Sequence, residues 1–261
     1  MEKLKKLILL MIILIGLGWI GVGDKVSFQK VNSIMIFAGA ANKGYLDEVI
    51  AEFEKQTKIK VDVSYGGSGY VLNQIILSKK GDIYIPGTSD FMELALEKGV
   101  VDKETVIDVA YLEPAIVIHK SNLDKIRTLK DLLKIRKIGI ADPETVCLGN
   151  FALEIFEKNF SKEEQKLLKS KIAVYAESCE KVATIVALNS VDAAIGWSVF
   201  QYWNDNIKAI PLSEKECSRK GIIQAGRIKY SSNKMEAQKF LDFLKSDKVK
   251  KILKKHHYNV S

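Results

Sequence analysis

The apolar residues of the chain fall into two alternating patterns, short continuous runs and residues repeated three or four positions apart. Residues 34–38 form a continuous apolar run, as a strand buried on both faces requires. Small residues follow at 39–42, and the next segment places apolar side chains on one face of a helix: Leu46, Val49, Ile50 and Phe53. The pattern therefore predicts a strand, a tight turn and a helix.

A glycine-rich turn at residues 64–70 lies between the second predicted strand and its helix. Gly67 and Gly69 flank Ser68 there, and glycine permits the close approach of another backbone. A helix that begins at this turn directs unpaired N–H groups and its positive dipole end outward, which favours an anion. Ser68 would add a hydroxyl to the same site. The alternative interpretation is an ordinary turn with a serine N-cap.

Strands and helices continue to alternate along the rest of the chain. Predicted strands lie at residues 60–64, 82–86, 115–119, 137–141, 172–175, 193–197 and 222–228. Predicted helices lie at residues 91–98, 128–135, 235–246 and 249–256, and others begin after the turns at 67–69, 147–149 and 178–180. This alternation predicts an α/β protein whose mostly parallel sheets are flanked by helices.

The alternating units divide into two lobes. We predict a first lobe of residues 33–112 and 229–261 and a second lobe of residues 113–228, with hinges near 111–114 and 228–231. Ligands of open parallel sheets bind beyond the carboxyl ends of the strands. Two facing lobes would therefore place four turns around one cleft: residues 40–42, 67–69, 147–149 and 178–180. None of these turns contains Arg or Lys, so neutral dipoles would hold a dehydrated anion there.

The N-terminal segment predicts export from the cytoplasm. Lys3, Lys5 and Lys6 precede an apolar run at residues 7–22, which is typical of a signal peptide, and an uncleaved membrane anchor is the alternative. The first cysteine after the run is Cys147, which excludes a lipoprotein anchor. We therefore expect residues 1–32 to be a signal peptide or anchor with a tether. The rest of the chain would be periplasmic or extracellular, or held at the outer face of the cytoplasmic membrane by residues 7–22.

The composition limits the classes of function. The chain has 261 residues, of which 47% are hydrophobic, so it can bury a sizeable core. Its net charge of +8 is spread along the sequence rather than gathered in a dense basic patch, so we expect no nucleic-acid partner. The sequence contains three histidines and lacks the common metalloprotease, nucleotide-binding and nucleophile motifs. We therefore expect no enzyme activity, no catalytic residue, no metal-ligating residue and no cofactor.

The three cysteines leave three interpretations open. Cys147 and Cys179 could form a disulfide, since an exported protein meets an oxidising compartment. They could instead be thiolates with a lowered pKa at helix N-termini, which would bind a thiophilic anion or a soft metal. The third interpretation is a pair of inert buried thiols. Cys217 follows a charged run and is expected at the surface.

Three short motifs, in this order along the chain, resemble those of the periplasmic molybdate-binding proteins of ABC transporters. Residues 37–41 (Phe-Ala-Gly-Ala-Ala) are similar to the first turn of that family, Phe-Ala-Ala-Ala-Ser. Residues 64–69 resemble its Ser-Phe-Gly-Gly-Ser-Gly turn, and residues 142–149 resemble Asp-Pro-Glu-His-Val-Pro-Ala-Gly. The resemblance implies a two-lobed periplasmic-binding-protein-like fold with a hinge between lobes. It also implies a monomer that delivers a small oxyanion, molybdate or tungstate, to an ABC transporter permease.

The resemblance also implies a set of ligand-binding residues. Ser68 stands at a ligand serine of the family, and Leu148 and Cys179 stand at backbone-amide positions. Ala41 replaces a serine and loses a hydroxyl, while Trp197 replaces a tyrosine and can donate a hydrogen bond but not accept one. The candidate ligand-binding residues are Ala40, Ala41, Asn42, Gly67, Ser68, Gly69, Cys147, Leu148, Cys179 and Trp197. A sensor that reports its ligand to a membrane partner is an alternative.

Overall fold

The structure is a computed structural model, and it describes residues 32–260. The predicted signal peptide or anchor at residues 7–22 lies outside the described residues. Within residues 32–260, no helix combines the length and the apolar character that crossing a membrane requires. The described residues form two five-stranded sheets with helices packed on both. This arrangement is the predicted α/β architecture.

The first sheet has the strand order β2-β1-β3-β10-β4. Its strands are β1 (Ser33–Gly39), β2 (Lys60–Gly66), β3 (Ile83–Ile85), β4 (Ile107–Leu112) and β10 (Gly221–Arg227). Strands β2, β1 and β3 are parallel, as the alternating pattern predicts. Strand β10 runs antiparallel to both of its neighbours, so the sheet is mixed.

The second sheet has the strand order β7-β6-β8-β5-β9. Its strands are β5 (Pro114–His119), β6 (Ile138–Ala141), β7 (Ile172–Ala176), β8 (Ala193–Trp197) and β9 (Ile207–Pro211). Strand β6 is parallel to β7 and β8, whereas β5 is antiparallel to β8 and β9. Each sheet therefore combines a parallel set of three strands with antiparallel strands.

Eight α-helices pack on these sheets within the described residues. They are α1 (Lys43–Thr57), α2 (Ser68–Ser78), α3 (Ser89–Glu97), α4 (Cys147–Asn159), α5 (Lys162–Ser170), α6 (Cys179–Ala187), α7 (Lys234–Leu244) and α8 (Asp247–Lys255). Helices α1–α3, α7 and α8 lie with the first sheet, and α4–α6 lie with the second. We call these two groups, each with its sheet, the first lobe and the second lobe.

Four elements differ from the sequence-based expectation. Strands β4 and β9 and helix α5 have no predicted counterpart, and the helix predicted at 128–135 is a 3₁₀ helix, Leu129–Leu133. Helix α5 buries Leu168 alone, so few apolar residues mark it in the sequence. Its N-terminus is instead defined by a capping box, in which Ser161 and Glu164 each accept a hydrogen bond from the other's backbone N–H.

The chain passes between the lobes in two places. Glu113 alone separates β4 from β5, which agrees with the crossing predicted near residues 111–114. The return runs through residues 212–220, between β9 and β10, so the predicted return near 228–231 is wrong. The predicted second lobe extends to residue 228, whereas β10 pairs within the first sheet. The Ile228 N–H donates to Asp82 O at 2.9 Å, and Ser231 Oγ donates to Asp82 Oδ1 at 2.6 Å, both inside the first lobe.

The C-terminal helices complete the core of the first lobe. Helix α1 buries the predicted apolar face, including Phe53. The ring of Phe53 packs edge-on against Phe240 of α7, with centroids 4.9 Å apart. Aromatic contacts of this kind bury large apolar areas and add a preference for one ring geometry. This packing fixes helix α1, and with it the turn that precedes it.

Candidate ligand-binding site

Ser68 begins helix α2 at the carboxyl end of strand β2. The N-cap is Gly67, in an extended conformation and without a side-chain cap, so the interpretation of Ser68 as an N-cap is wrong. The Ser68 hydroxyl accepts a hydrogen bond from the Gly87 N–H at 2.9 Å, and its carbonyl accepts one from the Tyr84 hydroxyl at 2.9 Å. Ser68 is 2% exposed. Its hydroxyl is therefore directed into the interior, toward the turn that follows β3.

The turn after strand β1 is a buried 3₁₀ helix, Ala40–Asn42. The Asn42 side chain donates to the carbonyls of Ile85 at 2.9 Å and Pro86 at 3.3 Å. The Tyr258 hydroxyl donates to Ala41 O. These bonds hold the turn against the end of β3 and use the Asn42 side chain for structure. Ala41 therefore has a fixed backbone next to Gly87, and a methyl group built on Gly87 would lie 3.9 Å from its Cβ.

Cys147 begins helix α4 in the second lobe and is 1% exposed. A methyl group built on Gly87 would lie 2.9 Å from Cys147 Sγ and 3.5 Å from Ser68 Oγ, so the three residues meet closely. Burial raises the pKa of the Cys147 thiol to about 11. The charge of Asp90 also raises it, while hydrogen bonds from Thr88, Ser68 and the Leu148 N–H lower it. The first turn of α4 thus presents a protonated thiol and backbone donors to the first lobe.

Cys179 begins helix α6, and Ser178 caps this helix by accepting from the Lys181 N–H at 3.2 Å. Burial raises the pKa of the Cys179 thiol well above its ordinary value, and the neighbouring Cys147 raises it further. The Trp197 indole N–H lies beside this thiol and partly offsets the rise, but it does not reach the geometry of a hydrogen bond. Trp197 is fully buried, and its ring packs edge-on against Phe151 at 4.9 Å. Among the described residues, the buried polar side-chain atoms without a hydrogen-bond partner are Trp197 Nε1 and Ser198 Oγ.

All three cysteines are free thiols. The structure therefore does not contain the disulfide that was one interpretation of Cys147 and Cys179. The lowered pKa is also wrong, because desolvation raises the pKa of both thiols by more than neighbouring hydrogen-bond donors lower it. The interpretation as buried protonated thiols fits both. Cys217 is partly buried rather than fully at the surface, and burial raises its pKa as well.

The lobes meet at the starts of these helices. The Gly69 N–H donates to Thr145 O at 2.9 Å, from the first lobe to the second. A methyl group on Gly67 would lie 2.8 Å from Glu177 O and 3.0 Å from Thr145 O. Helix α6 also contacts the 3₁₀ turn Ala40–Asn42. The structure thus brings the four predicted turns together at one interface between the lobes.

A cavity of about 630 Å³ opens between the lobes beside this cluster. Ala40 lines it from the first lobe together with Lys43 and Asp47, whose ion pair spans 3.3 Å. Glu180 and Lys181 line it from α6. Of the predicted ligand-binding residues, Ala40 therefore faces this outer cavity. Ser68, Cys147, Cys179 and Trp197 lie at the buried interface.

Sequence reasoning missed three residues of this cluster, Gly87, Thr88 and Thr145. Gly87 and Thr88 follow β3 in the same way that the predicted turns follow β1 and β2. The glycine that follows the buried strand β3 was the available signal in the sequence. Thr145 contributes its carbonyl oxygen in a turn shaped by Asp142, which accepts hydrogen bonds from the Glu144 N–H at 3.0 Å and the Thr145 hydroxyl at 3.2 Å. Nothing in the sequence pattern marks that carbonyl.

Several named proteins are similar to this chain in sequence or in their two-lobed structure. A protein of Haemophilus influenzae assigned as a binding protein is 29% identical over 219 residues, which cover 82% of this chain and 85% of that protein. The substrate-binding domain assigned to a molybdenum ABC transporter of Clostridium difficile is 26% identical, with a TM-score of 0.66 over 88% of this chain and 99% of that one. The periplasmic molybdate-binding protein of Azotobacter vinelandii superposes with a TM-score of 0.76 at 18% identity, over 87% of this chain and 99% of that one. These structural likenesses confirm the two-lobed fold and the resemblance stated from the motifs.

A family model described as bacterial extracellular solute-binding protein matches residues 34–259, which is nearly all of the described chain. The match includes both lobes and all four turns. The chain therefore belongs to the bacterial extracellular solute-binding proteins, which bind solutes outside the cytoplasm for ABC transporters and are not enzymes.

Proposed function

We propose that the protein captures a small, fully deprotonated tetrahedral oxyanion, molybdate or tungstate, between its two lobes. One observation carries the proposal. Three helix N-termini and a 3₁₀ turn converge at the buried interface, where Trp197 holds an indole N–H without a partner among the described residues. A buried unpartnered donor is costly, and a ligand oxygen would satisfy it.

The electrostatics of the interface favour an anion without a charged counter-ion. Helices α2, α4 and α6 each place a positive dipole end and unpaired N–H groups near the interface. The four turns contain no Arg or Lys. Ser68, Cys147 and Trp197 are at most 2% exposed, so a guest there would lose its water. Neutral donors act more strongly at such a dry site than in solution.

The donor set also discriminates by protonation state. The Trp197 indole donates and cannot accept, and the Ser68 hydroxyl already accepts from Gly87. A protonated oxyanion such as hydrogen phosphate would bring an O–H that needs an acceptor. Molybdate and tungstate present only acceptor oxygens at neutral pH. We therefore assign the ligand-binding role to the backbone amides of Ala41, Leu148 and Cys179 and to the side chains of Ser68 and Trp197, since the Gly69 N–H already donates to Thr145 O.

Closure of the lobes would couple capture to delivery. Glu113 and residues 212–220 are the two connections between the lobes, and we propose that the lobes rotate about them. An anion that contacts both lobes favours the closed form, because that form makes both sets of contacts. The closed monomer would then dock on the permease, and residues 1–32 would direct its export.

A thermal-shift screen of the purified protein tests the proposal. Molybdate, tungstate, sulfate and phosphate would be compared at equal ionic strength, with titration calorimetry on any anion that raises the Tm. A ligand at 100 times its Kd adds about 2.7 kcal/mol to the free energy of unfolding. We expect molybdate and tungstate to raise the Tm and phosphate to leave it unchanged. Equal shifts for phosphate and molybdate, or none for any anion, would contradict the proposal.

A further inference from the structure

Arg219 lies in the segment 212–220 that returns the chain to the first lobe, and its guanidinium contacts two carboxylates. Its Nε and Nη2 donate to the two Glu154 oxygens at 3.0 and 2.7 Å. Its Nη2 also donates to Asp90 Oδ2 at 3.0 Å, and its Nη1 donates to Asp90 Oδ1. The guanidinium carbon lies 4.0 Å from the centroid of the Phe151 ring. Arg219 is therefore held by four hydrogen bonds and a cation–π contact.

These partners belong to different lobes. Asp90 lies in the first turn of α3, which packs against strand β10 of the first sheet. Glu154 and Phe151 lie on α4, which packs against β6 and β8 of the second sheet. Arg219, Asp90 and Glu154 have side chains that are 33%, 25% and 37% exposed, so the cluster is partly shielded from solvent. One guanidinium thus joins carboxylates that would otherwise repel each other across the interface.

The cluster also contacts the residues around the candidate site from both sides. The Thr88 hydroxyl donates to Asp90 Oδ2 at 3.3 Å, and Thr88 lies close enough to the Cys147 thiol to lower the pKa of that thiol. On the other side, Phe151 supports the Trp197 ring. Asp90 lies near enough to Cys147 for its charge to raise the pKa of that thiol. An uncompensated Asp90 carboxylate would therefore repel an anion at the site.

We propose that Arg219 is a positioning residue that latches the closed form of the two lobes and compensates the Asp90 carboxylate beside the anion site. It touches no proposed ligand atom and acts through Asp90, Glu154 and Phe151. Its loss lets the two carboxylates repel each other, which favours the open form and shortens the residence time of the anion. The effect on the anion rests on the proposed function, whereas the effect on closure does not.

The test compares R219M with R227M. Methionine keeps the apolar stem of either arginine and removes the guanidinium. Arg227 is the matched control, because its Nη2 bonds Asp102 Oδ2 at 2.6 Å within the first lobe. Molybdate affinity would be measured by calorimetry, its release by stopped-flow exchange, and the radius of gyration of the anion-free protein by small-angle X-ray scattering. We expect R219M to release molybdate at least fivefold faster and to have a larger anion-free radius. R227M should match the wild type within twofold.

A triple variant separates charge repulsion from loss of packing. D90N/E154Q/R219M removes both carboxylates with the guanidinium, so we expect release to slow again by at least twofold relative to R219M. Release as fast as in R219M itself would contradict the electrostatic part of the latch. Equal release rates and equal radii in R219M and R227M would overturn the latch. If the wild type binds molybdate in that case, the proposed function still stands. A wild type that binds no tetrahedral anion, with a larger radius in R219M alone, would overturn the function and support the latch.

Discussion

The backbone N–H of Gly69 donates a hydrogen bond to the carbonyl oxygen of Thr145 at 2.9 Å. Gly69 lies in the first turn of α2 in the first lobe, and Thr145 lies just before α4 in the second. The start of each helix is therefore part of the interface between the lobes. Substitutions in these turns should change closure more than they change the stability of either lobe.

Gly67→Ala should weaken molybdate binding by roughly tenfold, about 1.4 kcal/mol. The added methyl group would lie 2.8 Å from Glu177 O and 3.0 Å from Thr145 O, and both atoms belong to the backbone of the second lobe. The closed form must shift to admit it, whereas the open form need not. Titration calorimetry gives the affinity, and thermal unfolding of the anion-free protein checks that the fold is intact.

Gly44→Ala is the matched control for that substitution. Gly44 lies in α1, and a methyl group there would meet Trp203 Nε1 at 3.8 Å and His256 Nδ1 at 3.9 Å, which are ordinary contacts. Alanine is also favoured over glycine within a helix. The molybdate affinity of Gly44→Ala should therefore match that of the wild type. A Gly67→Ala variant that binds as tightly as Gly44→Ala would show that Gly67 does not limit closure.

Ser68→Ala should cost about 1–3 kcal/mol of anion binding, because a hydroxyl donor to a charged ligand is lost. It should also lower the free energy of unfolding of the anion-free protein by about 1 kcal/mol, since the buried Gly87 N–H loses its acceptor. Calorimetry and chemical denaturation measure the two effects separately. Ser78→Ala is the control, because that hydroxyl is exposed and its hydrogen bonds are local, to Gln74 O at 2.6 Å and from the Lys80 N–H at 3.3 Å. Undiminished affinity in Ser68→Ala would count against a ligand contact.

Trp197→Phe should separate ligand binding from stability. The indole N–H has no hydrogen-bond partner among residues 32–260, so its removal breaks no bond there. The smaller ring still packs near Phe151, and we expect a loss of about 1–2 kcal/mol in stability from the vacated volume. Molybdate affinity should fall by at least fivefold if the N–H donates to the anion. Calorimetry on the folded variant measures the Kd for molybdate. An unchanged Kd would show that the Trp197 indole does not contact the anion.

The thiols should be unreactive in the folded protein. Cys147 and Cys179 are buried and protonated at pH 8, so iodoacetamide should label neither, whereas the partly buried Cys217 should react slowly. After denaturation without reductant, all three should be labelled within minutes. Mass spectrometry counts the adducts. Two residues that stay unlabelled in the denatured, non-reduced chain would reveal a disulfide.

Cys147 should also make the stability depend on alkaline pH. Its pKa is raised from an ordinary value of 9.0 to about 11 in the folded state. Between these values the unfolded chain loses the thiol proton and the folded chain keeps it, so the free energy of unfolding falls as the pH rises. The stability difference between wild type and Cys147→Ala should therefore shrink by about 2 kcal/mol from pH 9 to pH 11. A constant difference across that range would contradict the burial of the thiol.

The sequence by itself determined the strand–turn–helix units and the positions of the four turns. Strand β1 is recognisable from its continuous apolar run, and helix α1 from apolar residues repeated on one face. Both patterns depend only on which neighbouring residues are buried, so they can be read from the sequence. It did not reveal helix α5, because the single buried residue of that helix, Leu168, is too little to mark an apolar face. Strand β9 was likewise missed, because its burial alternates weakly.

Only the tertiary structure decided which groups meet across the two lobes. It placed β10 in the first sheet and the return crossing at residues 212–220, and it brought Gly87 and Thr88 against Cys147. It made the cysteines protonated, because desolvation depends on what surrounds a thiol and not on its place in a helix. It also brought Arg219 between Asp90 and Glu154, residues 129 and 65 positions away. Contacts at such separations depend on how the sheets and helices pack, which no local pattern of residues records.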